Sequence, residues 1–156
     1  MLYTHSVTSY HTSPRVDVGT KRTEGVNEYT YVYTANDVNT YRAVVLASGS
    51  VTYTVTPTTP VLVASGNSAP AFGFNETGAT VPASSYFWAQ TKGYGYVEQT
   101  AISGCLSPVG LVVATTSGTV SAFAGNDSSK NHVVVGYSMA GLGTYTLNIP
   151  AFLDCK

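Results

Sequence analysis

Charged side chains are scarce in this chain of 156 residues, at 10% of the sequence, where about 25% is average. The seven Lys and Arg residues form no basic patch, and the formal net charge is -1. Nucleic-acid binding depends on Lys and Arg that neutralise phosphates, so we expect no nucleic-acid partner. Because a free monomer normally keeps more charge for solubility, the composition favours a subunit of a larger assembly.

Metal ligands and membrane segments are also missing. His5, His11 and His132 show no ligand spacing, and Cys105 and Cys155 match no motif such as C-x-x-C. The two cysteines fit either a disulfide or two small buried side chains. No run approaches the ~20 apolar residues of a membrane span, and the N-terminus lacks the basic and apolar regions of a secretory signal. We expect no cofactor, no metal and no membrane partner.

What the chain does contain is typical of β-sheet. Thr, Val and Tyr, which favour strands, replace the usual helix-surface residues. "EYTYVYT" alternates with period two and places Tyr29, Tyr31 and Tyr33 on one face of a strand. Turn signals recur every 8–12 residues between such stretches, including Ser117-Gly118 at the tip of a hairpin. The pattern predicts an all-β chain with a single β-sandwich or barrel-like domain of about ten short strands, without a repeat of fixed period.

The first part of the chain is different in character. Residues 1–18 lack sustained periodicity and predict an extended N-terminal arm. We expect residues 1–17 to be disordered in the isolated subunit and ordered in an assembly. Residues 19–156 are predicted to form the all-β domain. The turn-rich stretch 65–85 is expected to join two halves of one β unit.

The stretch "SSYFWAQTKGYGYVE", residues 84–98, concentrates aromatic side chains. It fits either a platform on which carbohydrate rings stack or a strand of the core. Alternation places Tyr86 and Trp88 on one side and their neighbours on the other, which is typical of a strand covered on both sides. We therefore predict a strand that ends in a glycine turn at Gly93 and Gly95, followed by a second strand.

The nearest approach to a catalytic motif is "VVVGYSMAG", in which Ser138 follows a Val-rich strand. A serine nucleophile elbow needs a histidine downstream and a helix after the turn. No histidine follows Ser138, and "MAGLGT" predicts a turn. The stretch is interpreted as a strand end, and the protein is expected not to be an enzyme.

Several motifs in order resemble one protein family. "SYFWAQTKGYGYV", "GLVVATTSGTV" and "VVVGYSM" resemble the C-terminal half of small capsid decoration (cement) and related auxiliary head proteins of tailed bacteriophages. "VGTKRTEGVNEYTYVYTAND" resembles the opening of the same family. Together these matches extend over residues 18–140.

The resemblance implies a non-enzymatic virion structural protein, assembled in the bacterial host cytoplasm, that binds the capsid exterior and bridges capsomers. Its implied partners are the major capsid protein and further copies of itself, as a homotrimer. We expect contacts with the capsid or a second subunit in the arm and on the aromatic strand. The candidate residues are Leu2, Tyr3, His5, Tyr10, His11, Arg15, Tyr86 and Trp88.

Two alternatives share the composition. The first is a carbohydrate-binding β module on a virion surface or fibre, in which Trp88 and neighbouring tyrosines stack on sugar rings. The second is another minor structural component of a phage head or tail. Composition and alternation alone do not separate these alternatives from a decoration protein.

Overall fold

The computed structural model of the chain describes residues 5–46, 60–63, 71–100, 110–113, 118–122, 134–139 and 147–155. These residues form an all-β structure of eleven strands without a helix, as predicted. The strands are β1 (Tyr10–His11), β2 (Lys21–Glu24), β3 (Asn27–Thr34), β4 (Ala43–Leu46), β5 (Val61–Val63), β6 (Gly73–Asn75), β7 (Ser85–Gln99), β8 (Gly110–Val113), β9 (Val120–Ala122), β10 (Val134–Ser138) and β11 (Leu147–Asp154).

Strand β7, 15 residues long, is the central element. Its first half pairs antiparallel with β3, from Ser85 opposite Thr34 to Lys92 opposite Glu28. Its second half pairs antiparallel with β11, from Lys92 to Gln99. The predicted turn at Gly93 and Gly95 is therefore wrong, since the chain continues as one strand through both glycines.

The first half of β7 closes a five-stranded ring, here called unit 1. β7 pairs with β6, β6 with β4, and β4 with β5, all antiparallel. The ring closes where β5 pairs parallel with β3, at Thr34 and Val61, because β3 is also paired with β7. Closure removes the exposed strand edges that an open sheet would present.

The second half of β7 closes a second ring, unit 2, with the same arrangement. β7 pairs parallel with β9 at Gln99 and Val120, while β9 pairs with β8, β8 with β10, and β10 with β11, all antiparallel. β11 returns to β7. Each pairing repeats one in unit 1 in direction and in order along the chain, so the fold contains an internal duplication whose halves share β7.

The duplication extends to individual residue pairs. Thr34 opposite Val61 in unit 1 corresponds to Gln99 opposite Val120 in unit 2. The two units are also similar in sequence at a few equivalent positions. "YTYV" in β3 corresponds to "YGYV" in β7, and "GF" in β6 corresponds to "GY" in β10. The loops between equivalent strands differ in length, and for this reason the sequence shows no fixed period.

The two hydrophobic cores consist of equivalent residues, and burial of each aliphatic or aromatic side chain stabilises the fold by roughly 1.5–3 kcal/mol. The buried interior of unit 1 contains Val32, Val44, Leu46, Val61, Phe72, Phe87 and Ala89. Their counterparts in unit 2 are Val97, Leu111, Val113, Val120, Val135, Ile149 and Ala151.

The units are fixed to each other beyond the shared strand. Ala43 and Phe74 of unit 1 belong to the hydrophobic cluster of unit 2. The guanidinium of Arg42 donates two hydrogen bonds to the Glu98 carboxylate, at 2.6 and 2.7 Å. The backbone N–H of Ala43 donates to Gly118 O at 2.8 Å. These contacts make one continuous body of the two units.

Other predictions have mixed outcomes. The alternation around Trp88 is confirmed, since Trp88 and Tyr31 pack together outside unit 1 while Phe87 lies inside. The predicted hairpin is confirmed by the antiparallel pairing of β8 and β9, with Gly118 at a φ of 76° before β9. The stretch "SVTYTVTP", residues 50–57, also alternates with period two and predicts a strand, but it lies outside the described residues.

Gly93 is required where β7 passes from unit 1 to unit 2. Its backbone φ angle is 102°, a value that residues other than glycine rarely adopt. A Cβ atom there would collide with the side chain of Asn27 and lie 2.7 Å from Val26 O. Asn27 Oδ1 also accepts the N–H of Tyr94 at 2.8 Å, so the close approach is part of a hydrogen-bonded bend.

Substitution Gly93→Ala is expected to lower the free energy of unfolding by roughly 2–4 kcal/mol, because the new methyl group adds both backbone strain and a clash. Chemical denaturation measures the change. Lys92→Ala is the control: its side chain is exposed and lies 3.9 Å from Glu28 Oε1, a surface pair worth at most about 1 kcal/mol. Equal stability of the two variants would contradict the assigned role of Gly93.

Candidate functional site

An exposed aromatic face covers the outside of unit 2. It is formed by three neighbouring strands, and its members are Tyr94 and Tyr96 of β7, Pro150 and Phe152 of β11, and Tyr137 of β10 with the following Met139. Tyr94, Tyr96, Tyr137 and Met139 are 54, 50, 53 and 53% exposed, and they are four of the six exposed large hydrophobic side chains among the described residues. We call this set the aromatic face.

Strand register arranges the face in two rows. Phe152 lies opposite Tyr94 on one side and opposite Tyr137 on the other, which forms the first row. Pro150 lies opposite Tyr96 and accepts the N–H of Met139 at 2.9 Å, which forms the second. Residues directly opposite in antiparallel strands share a side of the sheet, so both rows point away from the core.

Ring contacts hold the face in shape. The rings of Tyr94 and Phe152 meet edge to face with centroids 5.2 Å apart, a geometry that aromatic pairs prefer. Tyr96 packs against Tyr41 of unit 1 at 5.6 Å. The ring contacts therefore hold two of the tyrosines in place while about half of each side chain stays exposed.

The face carries no charged member, and the acid at its border is held neutral. The Tyr96 N–H donates to the carboxylate of Glu76, at 3.1 Å to Oε1 and 3.2 Å to Oε2. Burial raises the pKa of Glu76 to about 8. Asn75 positions this carboxylate, because its side chain bonds Val38 O, Ala79 O and Thr77 N and fixes the loop after β6.

The equivalent surface of unit 1 is buried. Tyr29, Gln90 and Phe74 correspond to the row Tyr94, Phe152 and Tyr137, and each is less than a tenth exposed. Phe74 enters the hydrophobic cluster of unit 2, and Gln90 Nε2 donates to the carbonyl of Tyr94 at 2.9 Å. The two units thus share an aromatic outer surface, which is covered in one and open in the other.

The N-terminal segment, residues 5–18, covers Tyr31 and Trp88 of unit 1, which correspond to Tyr96 and Pro150 in the second row of the aromatic face. Val7 and Val16 pack on the cluster that contains Tyr31 and Trp88. Val18 packs on the core of unit 1. Residues 5–18 therefore lie against unit 1 and supply aliphatic side chains to rings that would otherwise face water. The disorder expected for residues 1–17 in the isolated subunit stays a prediction.

The predicted contact residues of this segment lie at its outer surface or just beneath it. Tyr10 and His11 form β1 and pair with Phe87 and Tyr86; Tyr10 is exposed. Arg15 is exposed, and its backbone N–H donates to the Tyr31 hydroxyl at 3.2 Å.

The histidines of the segment are neighbours. The rings of His5 and His11 meet edge-on with centroids 5.5 Å apart. Burial, with the charges of Arg15 and His5, lowers the pKa of His11, and its Nε2 is buried without a hydrogen-bond partner among the described residues. The lowered pKa favours the neutral form of His11. Leu2 and Tyr3 lie outside the described residues.

The other two predicted contact residues lie beneath the segment. Trp88 is 1% exposed, with the Arg22 guanidinium 5.8 Å from its ring centroid. Tyr86 is half-buried and stacks on Tyr31 at 6.1 Å. In this arrangement a sugar or a partner subunit reaches Trp88 only if residues 5–18 move away.

The side chains that could take part in catalysis or metal binding are dispersed. The described residues contain no cluster of three or more His, Cys, Asp or Glu side chains that could hold a metal ion. They also contain no helix long and apolar enough to cross a membrane. A pocket of about 200 Å³ lies between β2, β3 and the end of β11, lined by residues that include Arg22, Glu28 and Cys155. Burial raises the pKa of the Cys155 thiol, so the thiol stays protonated. Ser138 is buried inside unit 2.

No model of a known protein family matches this chain, and no curated protein matches it. The resemblance to decoration proteins therefore depends on the quoted sequence motifs. Sequence reasoning did not select Tyr137, Met139 or Phe152 as contact residues. Alternation could have identified two of them, since Tyr137 and Met139 flank the buried Ser138 in the same way as Tyr94 and Tyr96 flank Gly95.

Glu76 is expected to make stability depend on pH. Its pKa is about 8 in the folded chain and near 4.5 when unfolded, so between these values only the unfolded state releases the proton. Stability from this group is complete below about pH 4.5 and is lost as the pH rises to about 8, by at most about 1.4 kcal/mol per pH unit.

The Glu76→Gln variant keeps an acceptor for the Tyr96 N–H and cannot ionise. Denaturation of both proteins from pH 4.5 to 9 measures the difference. The stability of the wild type relative to the variant should fall as the pH rises. A difference that does not change with pH would contradict the raised pKa.

Proposed function

We propose that this protein is a non-enzymatic structural protein of a phage virion, which binds the outside of the capsid and stabilises it by bridging capsomers. The observation that carries the proposal is the aromatic face: exposed, free of charge and fixed on closed β units. Such a patch is typical of a surface that another protein covers. The low charge of the chain and the family resemblance support the same function.

Stabilisation by a decoration protein needs no chemistry. Each bound copy adds buried area across a capsomer seam, so separating the capsomers must also break that contact. Because many copies act together on one shell, a modest free energy per copy is sufficient. Two rigid units joined by β7 suit this role, since the load on one unit passes directly to the other.

The N-terminal segment is the proposed contact with the major capsid protein. Tyr10 and Arg15 are exposed on its outer side, and only two of its residues, Tyr10 and His11, pair as a strand with β7. An extended segment of this kind can pair with a strand edge of a neighbouring protein, where backbone hydrogen bonds supply affinity without a pocket.

Carbohydrate binding is a second candidate, favoured by the exposed tyrosines rather than by Trp88. Tyr94 and Tyr137 lie on strands separated by β11, so their backbones are about 10 Å apart at a strand spacing of about 4.8 Å. Tyrosine rings can stack on sugar faces while their hydroxyl groups form hydrogen bonds. The function would then be adhesion of a virion to a glycan surface.

Binding to expanded capsids that lack this protein tests the first proposal. The wild-type protein should bind and raise the temperature at which the shells break. Tyr10→Ser with Arg15→Glu should weaken binding by about tenfold or more, as loss of interface anchors does. Val26→Ser is the control, because Val26 is exposed outside both the segment and the aromatic face.

Two results would count against this proposal. The first is failure of the wild-type protein to bind expanded capsids at all. The second is binding on a glycan array that disappears in Tyr94→Ala with folding intact, which would favour the second candidate.

A further inference from the structure

The N-terminal segment, residues 5–18, is attached to unit 1 by few backbone contacts. Strand pairing within the segment is limited to Tyr10 and His11, which lie opposite Phe87 and Tyr86 of β7. The rest of the attachment comes from aliphatic side chains that pack on the rings beneath the segment and from single hydrogen bonds. Because few bonds must break, a segment of this kind can open while the rest of the fold stays intact.

The chain is fixed again directly after the segment. The N–H of Gly19 donates to Tyr31 O at 2.8 Å, and the N–H of Tyr31 donates to Thr20 O at 2.8 Å. β2 and β3 then form a hairpin. Detachment of residues 5–18 can therefore stop at Gly19 and leave the strands of unit 1 paired.

His11 lies at the point where the segment is paired with β7. The residue is half-buried, and its Nε2 is buried without a hydrogen-bond partner among the described residues. A proton added to this ring brings a positive charge and an N–H donor to a place where the described residues offer no acceptor. Burial of such a group is unfavourable, and histidine is the side chain whose charge changes between pH 5 and 8.

The groups around His11 make a proton there still less favourable. The His5 ring meets the His11 ring edge-on, with centroids 5.5 Å apart. Burial is the largest cause that lowers the pKa of His11, and the charges of Arg15 and His5 add to it. On the neighbouring β2, Arg22 donates to the carbonyl of His5 and is ion-paired with Glu24. The other titratable groups of the segment and of the strands beneath it are the exposed Asp17, Tyr31 of β3 and Tyr86 of β7.

We propose that residues 5–18 form a pH-sensitive strap, whose attachment over Tyr31 and Trp88 weakens when His11 takes up a proton. In the detached segment His11 faces water and has its ordinary pKa of 6.5, whereas attachment lowers that pKa. The contribution of neutral His11 to attachment is therefore fully present above about pH 6.5. It is lost as the pH falls toward the lowered pKa, by at most about tenfold in the attachment equilibrium per pH unit.

This proposal goes beyond the proposed function, because it concerns the isolated protein and needs no capsid. Detachment would expose the rings of Tyr31 and Trp88 to water. It would also free the segment to pair with a strand edge of another protein. Acidification would then control whether the segment lies on its own unit or is available to a partner.

Native-state hydrogen exchange between pH 7.5 and 5.5 tests the proposal, expressed as protection factors, which remove the intrinsic pH dependence of amide exchange. In the wild type, the protection of residues 5–18 should fall by up to about tenfold between pH 6.5 and 5.5. His11→Phe keeps a ring and cannot take up a proton, so its protection should not change with pH. His132→Gln is the matched control, since it removes the third histidine of the chain, and it should behave like the wild type.

A second neutral variant, His11→Gln, separates the loss of the titrating group from altered ring packing and should also be insensitive to pH. The core amides of β3 and β11 should keep their protection, because Glu76 stabilises the whole fold as the pH falls.

Three results would overturn the proposal. The first is protection of the segment that does not change with pH in the wild type. The second is an equal fall in both His11 variants, and the third is loss of protection in the core together with the segment. Capsid binding enters none of these measurements, so the proposed function can fail while the strap stands, and the reverse.

Discussion

Backbone pairing along β7 is the interaction on which the whole structure depends. One strand supplies its first half to unit 1 and its second half to unit 2, with β3 on one half and β11 on the other. If β7 broke at Gly93, each ring would keep its own half of the strand, but the two units would lose the continuous strand that joins them. The bend at Gly93 lets a single strand serve both rings, because β7 leaves β3 at Lys92 and is paired with β11 from Lys92 onward.

Much of the fold could be predicted because alternation and turn residues are local signals. Period-two patterns located β3 and the first half of β7 and correctly separated the two faces of each strand. The passage through Gly93 could not be predicted, because glycine pairs in a strand and in a turn look alike until the partner strands are known. The duplication was missed for a related reason: strand order and register are preserved between the units, whereas loop lengths and most side chains are not.

Sequence and structure draw attention to aromatic side chains at different positions. The sequence drew attention to Trp88 and Tyr86, yet the N-terminal segment covers them. Exposed rings lie instead on unit 2, contributed by β7, β10 and β11. Alternation within a strand predicts that Tyr94 and Tyr96 lie on the same side of β7, but it does not relate that side to the side of β10 on which Tyr137 lies. Only the long-range pairing of β10 with β11 and of β11 with β7 shows that they share one surface.

The central claim is that β7 couples the two units into one cooperative body. Native-state hydrogen exchange in the matched variants Val32→Ala and Val97→Ala tests it directly, because these equivalent core residues are both fully buried. Each variant should lower the free energy of unfolding by about 1–3 kcal/mol and reduce the protection of slowly exchanging amides equally in both units. Loss of protection confined to the substituted unit would contradict the claim and show that the units unfold separately.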